Sequence, residues 1–293
     1  IRDSCCIARK RGKKAQIVVD MEDNVAKPIL SKLAALPEYK DVFISGSDAF
    51  ISAQPGALLV VVDTNRPDFV ESEQLLDACN RVAVIDHHRR AATYIDNADL
   101  SYIEPASSST CELMAEILEV ALDEPKLLPC ESEAMLSGIV LDTKSFTLRT
   151  NYRTFDAAAF LRRAGADTVD VKKLMQSGLE QTVEKYKILQ GARLYRSMAV
   201  AIPDKQQNRV VAAQAADELL NVAGVEASMV MYPTDDGGVF VSARSIGDVN
   251  VQLIMERLGG GGNRAAAAAQ LSGISLQDAA KKLFAAIDEY MDS

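Results

Sequence analysis

Two apolar segments of the sequence each end in an aspartate, and the second leads directly into two histidines. Residues 58–62 precede Asp63, and residues 82–85 precede the tripeptide Asp86-His87-His88. The chain has two histidines, and both are in this tripeptide. Carboxylate oxygen and imidazole nitrogen, without thiolate at the same points, suit manganese, magnesium or iron better than a structural zinc cage. The pattern predicts a site for a divalent metal, with manganese preferred.

A third candidate, Asp142, follows the apolar segment 137–141. Two ions about 3.5–4 Å apart can share a hydroxide, aim it at phosphorus and neutralise the departing oxygen. The alternative for a single aspartate at the end of a strand is a helix N-cap, which is favoured when such a residue stands alone. The combination of Asp86 with both histidines favours the metal site.

The elements that must position these residues are short apolar runs separated by stretches with helical periodicity, a pattern typical of an α/β fold with buried parallel strands. In an open parallel sheet, ligands bind outside the carboxyl ends of the strands, so Asp63, Asp86 and the histidines are expected to converge there. Strands are predicted at residues 15–19, 41–44, 57–62 and 81–85. Helices are predicted at residues 109–122, 132–141 and 155–164.

The length of 293 residues predicts two domains. The first is a parallel-sheet domain of residues 1–176, the second a smaller α/β domain of residues 199–293, and a charged amphipathic helix over residues 177–198 joins them. In the second domain we expect a hairpin turn at residues 235–238, a glycine run at 259–262 and a helix over the alanine tract 265–269.

The composition excludes several classes of protein. A net charge of -9 argues against a surface that grips long nucleic acid, which normally needs a basic face. The sequence has no apolar run near the roughly 20 residues that span a bilayer, so no membrane contact is expected of this segment. The five cysteines are odd in number and show no CxxC spacing, which favours the reducing cytosol. A small anionic substrate remains compatible with this charge.

The Asp86-His87-His88 tripeptide and its strand resemble the DHH phosphoesterase superfamily. Further segments resemble the GdpP/YybT branch of that superfamily, and they lie at residues 61–67, 85–90, 102–110, 138–150, 241–245 and 250–262. The resemblance covers nearly the whole chain and implies a DHH domain joined to a DHHA1 domain. It also implies hydrolysis of cyclic di-AMP to 5′-pApA with manganese.

The resemblance assigns roles residue by residue. It implies that the metal ligands are Asp63, His87 and Asp142, with Asp63 bridging two ions, and that His88 lies beside a substrate phosphate. Asp86 would orient an imidazole, as metal-bound histidines usually require. In the second domain, the implied substrate contacts are Arg244, Gly259, Gly260, Gly261 and Gly262; without the resemblance, a flexible turn between two helices is the favoured interpretation of the four glycines.

The sequence departs from the family pattern at two points. The family opens with a strand and a His-x-x-x-Asp-x-Asp loop that supplies three further ligands, and we expect this segment upstream of Ile1. The family also has a histidine directly after its glycine run, where this sequence has Asn263 and Arg264. If both features are truly lacking, little phosphodiesterase activity is expected.

Several alternatives stay open. A nanoRNase or pAp phosphatase of the same superfamily would share the metal site and differ in its substrate pocket. A nucleotide-binding module that has lost catalysis is a second alternative, and an inorganic pyrophosphatase is less favoured because the glycine-rich second domain resembles DHHA1. Full-length family members carry upstream membrane helices, so the resemblance implies a cytoplasmic segment in a full-length protein that is anchored to the inner face of the membrane. The sequence leaves both a monomer and a homodimer open.

Overall fold

The computed structural model describes residues 2–22, 24, 26–90, 92–122 and 127–292. Its contacts divide the chain into two compact units, residues 1–176 and 177–293, and each unit is described by itself. Every helix within the described ranges is too short or too polar to span a lipid bilayer.

The described part of the first unit contains five strands, all paired in parallel. Strands β1 (Ile17–Val18) and β2 (Phe43–Ile44) form a separate pair. Strands β3 (Leu58–Val62), β4 (Arg81–Asp86) and β5 (Leu100–Ile103) form a sheet in the order β3-β4-β5. The four predicted strands are thus present, within two small parallel sheets, and β5 was not predicted as a strand. Since β4 is central, the residues after it lie between two neighbouring strand ends.

Eight helices surround these sheets in the described part of the first unit. They are α1 (Arg2–Lys10), α2 (Lys27–Ala34), α3 (Gly46–Ser52), α4 (Glu73–Ala78), α5 (Thr110–Ala121), α6 (Pro129–Asp142), α7 (Tyr152–Arg163) and α8 (Thr168–Leu174). The Ser109 hydroxyl accepts the Glu112 N–H at 3.1 Å and so begins α5, as the Ser-x-x-Glu spacing predicts. Leu113, Ile139 and Leu161 are fully buried where α5, α6 and α7 pack together. Burial of each such side chain contributes roughly 1.5–3 kcal/mol.

The second unit is built on a six-stranded sheet in the order β10-β11-β9-β8-β7-β6. Its strands are β6 (Arg193–Tyr195), β7 (Met198–Ala201), β8 (Ala227–Pro233), β9 (Val239–Ser245), β10 (Gly261–Gly262) and β11 (Ala266–Leu271). Only β7 and β8 pair in parallel among the neighbours described. The helices are α9 (Leu179–Gln190), α10 (Arg209–Leu219), α11 (Val251–Glu256) and α12 (Leu276–Met291).

Side chains of this sheet alternate between two cores. Along β8, Met229 and Met231 face the core that contains Leu283 of α12, whereas Val230 and Tyr232 face the core formed with α9 and α10. This alternation follows from the two-residue period of a strand, with apolar residues on both faces because both are covered.

The predicted connecting helix is shorter than expected. It begins at Leu179 and ends at Gln190, and residues 193–195 already form β6. It packs on α10, where Ile188 is buried and Lys185 pairs with Glu218 at 3.2 Å. Its apolar face therefore belongs to the core of the second unit.

The helix predicted over the alanine tract is wrong. Residues 266–271 form β11, which pairs antiparallel with β9 from Ala266 opposite Arg244 to Leu271 opposite Val239. Alanine has the highest helix propensity, but long-range pairing and burial of Ala267 and Ala269 decide the structure here. The predicted turn at residues 235–238 does join β8 to β9.

Candidate metal centre

The candidate centre lies at the carboxyl ends of the three-stranded sheet. The Asp63 N–H donates to the Ile85 carbonyl at 3.0 Å, which continues the ladder between β3 and β4 by one residue. The backbone of Asp63 then turns into the left-handed region at φ 68°, a conformation that aspartate tolerates better than most residues. The turn leaves the Asp63 carboxylate 58% exposed beside the end of β4.

Three side chains offer ligand atoms that lie close together here. One ligand atom from each of Asp63, His87 and His88 falls within 4.8 Å of the other two. His87 Nε2 lies 3.7 Å from Asp63 Oδ1, beyond the range of a hydrogen bond. The other nitrogen of this buried ring, Nδ1, has no hydrogen-bond partner among the described residues. Neither nitrogen of the His87 ring is therefore satisfied by the described protein.

Asp86 is fully buried and binds His88 rather than His87. Its Oδ1 lies 2.8 Å from His88 Nδ1 and accepts the His88 backbone N–H at 3.1 Å. Burial pushes the pKa of Asp86 upward, but the hydrogen bonds from His88 and Asn65 outweigh it, so the pKa lies below its ordinary value. The hydrogen bond to Asp86 raises the pKa of His88, against desolvation. The pair thus favours a carboxylate beside an imidazolium.

Asn65 was not assigned a role from the sequence. Its amide Nδ2 donates to the second oxygen of Asp86 at 2.6 Å, and the residue is buried. Asn65 therefore holds the carboxylate that orients His88. A polar amide two residues after a strand-end aspartate was the only signal that pointed to it.

Asp142 is the last residue of α6 and is not part of the three-residue cluster. Its pKa is raised, first by desolvation and then by the negative charge of Asp63, with His87, His88 and Arg149 acting in the opposite direction. Asp142 therefore interacts electrostatically with the cluster. Its role as a metal ligand stays a prediction.

The chemistry of these groups fits a divalent cation. Asp63 Oδ1 and His87 Nε2 lie 3.7 Å apart. Because this distance is shorter than the sum of two metal–ligand bonds of about 2.1 Å each, one cation can bind both atoms. A buried imidazole without hydrogen bonds costs stability unless a ligand satisfies it. A cation would also offset the repulsion between Asp63 and Asp142 that raises the pKa of Asp142.

The residues predicted to bind substrate in the second unit have structural contacts of their own. Arg244 on β9 donates from Nη1 to the Ala243 carbonyl at 2.9 Å and to Ser242 Oγ at 3.3 Å. Its Nε lies 3.5 Å from Asp217 Oδ1, and its side chain is 19% exposed. A substrate phosphate would therefore share this guanidinium with Asp217.

The four glycines fall into two groups. A Cβ at Gly260 would meet the Ala268 carbonyl oxygen at 2.1 Å, and one at Gly262 would meet the Ala266 carbonyl oxygen at 2.5 Å. A Cβ at Gly259 or Gly261 would meet nothing within 4 Å, although Gly259 has φ 76°. Close approach to β11 thus explains two of the glycines without any ligand. Binding of phosphate by the run stays a prediction.

Asn263 directly follows the glycine run and closes the hairpin between β10 and β11. Its Oδ1 accepts the N–H groups of Ala265 and Ala266, both at 3.0 Å. This is a side-chain turn that asparagine forms readily.

Comparison with known proteins identifies two domain families along the chain. The N-terminal domain of the DHH family matches residues 5–139, and the DHHA1 domain matches residues 195–293. The cyclic-di-AMP phosphodiesterase GdpP of Bacillus subtilis (strain 168) is 41% identical over an alignment of 294 positions, which covers 98% of this chain and 44% of that protein. The cyclic-di-AMP phosphodiesterase PdeA of Listeria monocytogenes serotype 1/2a (strain 10403S) is 40% identical over an alignment of 290 positions, which covers 97% of this chain and 44% of that protein. The chain thus spans less than half the length of these relatives.

Among solved structures, an exopolyphosphatase-related protein from Bacteroides fragilis superposes with a TM-score of 0.80. The alignment covers 99% of this chain and 87% of that one, at 18% identity. At this level of identity the likeness concerns the fold alone.

Proposed function

Because this chain belongs to the DHH family and carries a DHHA1 domain, we propose that it is a metal-dependent phosphodiesterase that hydrolyses cyclic di-AMP to 5′-pApA. Relatives 40–41% identical along nearly the whole chain are cyclic-di-AMP phosphodiesterases, which supports this choice of substrate. The observation that carries the proposal is the buried His87, whose nitrogens lack hydrogen bonds beside the Asp63 carboxylate.

We assign Asp63, His87 and Asp142 as the residues that hold metal, manganese by preference. When bound, two such ions supply a low-pKa water as nucleophile and positive charge that stabilises the departing oxygen. The raised pKa of Asp142 implies that this carboxylate is better held in its charged form when cations are present.

His88 contacts the substrate in this proposal, and Asp86 orients His88. Asp86 fixes the ring of His88 through Nδ1 and raises its pKa, and in its charged form the ring can donate from Nε2 to a phosphate oxygen. Asn65 keeps Asp86 in place by binding its other oxygen. His88 also belongs to the cluster of ligand atoms, so its substitution tests whether it binds phosphate or metal.

In the second unit we propose Arg244 and the glycines 259–262 as phosphate contacts. A planar guanidinium can bind phosphate through two N–H groups, and backbone N–H groups of glycines are accessible to anions. Gly259 and Gly261 are the better candidates, because nothing packs within 4 Å of the position of their missing Cβ.

The proposal is tested by following manganese-dependent cleavage of cyclic di-AMP, pApA and pAp by the purified full-length protein. We expect cyclic di-AMP to be the preferred substrate and 5′-pApA to be its product. Preference for pApA or pAp would instead indicate a nanoRNase or pAp phosphatase. Calorimetric binding of cyclic di-AMP without turnover would indicate a nucleotide-binding module that has lost catalysis.

A further inference from the structure

A separate cavity of about 440 Å³ lies in the first unit among α6, α7, α8 and the turn that follows α6. None of the three clustered residues of the metal centre lines it. Most of its walls are apolar, and these are formed by Leu136, Val140, Phe146, Ala158, Val171 and Met175. Its volume lies in the range of about 300–1,000 Å³ that is common for small-molecule sites.

Two cations line the same cavity, Arg162 on α7 and Lys172 on α8. Arg162 donates from Nη1 to the Ala166 carbonyl at 2.8 Å and has no carboxylate partner among the described residues. The Lys172 ammonium likewise has no ion pair or hydrogen bond in the described part of the chain, whereas its neighbour Lys173 pairs with Asp170 at 2.8 Å. In a chain with a net charge of -9, two cations without acidic partners beside an apolar cavity favour an anionic ligand.

From these features we propose that the cavity binds a small amphipathic anion, with an apolar body among the side chains of α6, α7 and α8 and one acidic group at Arg162 and Lys172. The remaining polar side chains of the lining are the hydroxyls of Ser145 and Thr168. They offer too few donors and acceptors for a nucleobase, so an acyl chain or a simple aromatic ring is the better fit. Met175 adapts its shape readily to such a body.

The cavity is next to a strained turn that begins just after Asp142. Lys144, Ser145 and Phe146 have φ values of 48°, 58° and 64°, a run of left-handed conformations that is costly for residues other than glycine. Thr143 holds this turn, since its hydroxyl donates to the Ile139 carbonyl at 2.7 Å and accepts the Phe146 N–H at 2.9 Å. Ser145 and Phe146 both line the cavity. A ligand there would contact the turn that directly follows Asp142.

Occupancy of the cavity should therefore change the affinity of the metal centre. This second part rests on the proposed metal role of Asp142, whereas the cavity itself does not. If a ligand in the cavity changes the affinity for metal, bound metal changes the affinity for that ligand by the same factor.

The site is tested with decanoate as the probe, by calorimetry on the metal-free protein. We expect saturable one-to-one binding that Lys172→Glu weakens about tenfold and Lys173→Glu leaves within about twofold, because only Lys172 lines the cavity. Ala158→Phe, which fills the cavity, should abolish binding while circular dichroism shows an intact fold. Lack of saturable binding, equal weakening by both lysine variants, or equal affinity for the uncharged decanol would each overturn the proposal.

The coupling is tested by manganese calorimetry with and without saturating decanoate. We expect the Kd for manganese to change at least about threefold in the native protein and to stay constant in Lys172→Glu. An unchanged Kd in the native protein would overturn the coupling. Decanoate binding without any manganese binding would contradict the proposed function and leave the cavity site standing.

Discussion

Two buried polar clusters in the first unit differ in how far the protein satisfies them. Glu131 on α6 is 1% exposed and accepts hydrogen bonds from Arg9 Nη2 at 2.7 Å, Tyr39 Oη at 2.6 Å and the Leu128 N–H at 2.7 Å. His87 is also buried, yet its Nδ1 has no partner among the described residues and its Nε2 faces Asp63 at 3.7 Å. The first cluster stabilises the fold, whereas the second leaves hydrogen-bonding capacity for a ligand.

The largest effect is expected from a substitution in the second cluster. In the full-length protein, His87→Ala should lower kcat/KM for manganese-dependent cleavage of cyclic di-AMP by at least about 10³-fold, because a proposed metal ligand is lost. The thermal unfolding transition should remain cooperative, since no described hydrogen bond of the His87 ring is removed. Activity equal to that of the native protein would refute the assignment.

A substitution in the first cluster should instead lower the free energy of unfolding. Glu131→Ala leaves the buried Tyr39 hydroxyl and the Leu128 N–H without their acceptor, and we expect a loss of about 2–4 kcal/mol in the free energy of unfolding, measured with urea. The matched control is Glu22→Ala, which removes the exposed partner of Lys27 and should cost less than about 0.5 kcal/mol. If the two variants unfold at the same urea concentration, the structural role of Glu131 is wrong.

The glycine run contains one residue that packing requires, Gly260, and one with open space beside it, Gly261. Gly260→Ala places a methyl group against the Ala268 carbonyl and should destabilise the second unit by about 1–3 kcal/mol. Gly261→Ala meets nothing within 4 Å and should leave the midpoint of urea unfolding nearly unchanged. Equal destabilisation by the two substitutions would contradict the packing described between β10 and β11.

The smallest effect concerns the pair of Asp86 and His88. Asp86→Asn should lower the pKa of His88 toward its ordinary value, because the hydrogen bond to the carboxylate is the main cause of the increase. The chain has two histidines, so an NMR titration of the ring protons resolves both. An unchanged pKa of His88 would show that another group raises it.

The same pair predicts a dependence of stability on pH. Because the pKa of His88 is raised on folding, its contribution is complete below the unfolded pKa of about 6.5 and is lost as pH rises through the folded value. Because the pKa of Asp86 is lowered, its contribution is present above about pH 4 and is lost as pH falls through the folded value. Denaturant unfolding of the native protein should therefore show a stabilisation between these limits that Asp86→Asn lacks.

The sequence alone predicted candidate metal-binding residues, because apolar strands that end in Asp63 and in Asp86-His87-His88 are local patterns. Local signals also predicted the beginning of α5 at Ser109 and the turn between β8 and β9. These features depend on neighbouring residues, so they can be read without knowing which distant segments meet.

Only the tertiary structure decided the rest, since each remaining feature depends on partners far apart in the chain. The pairing of the alanine tract with β9 overrode its helix propensity, and Asn65 reaches Asp86 across 21 positions. The sequence did not determine whether Asp86 binds His87 or His88, because the two residues are adjacent and of the same type. The directions of their side chains decide it, and Asp86 binds His88. Long-range pairing and side-chain direction are set by packing, which no short stretch of sequence determines.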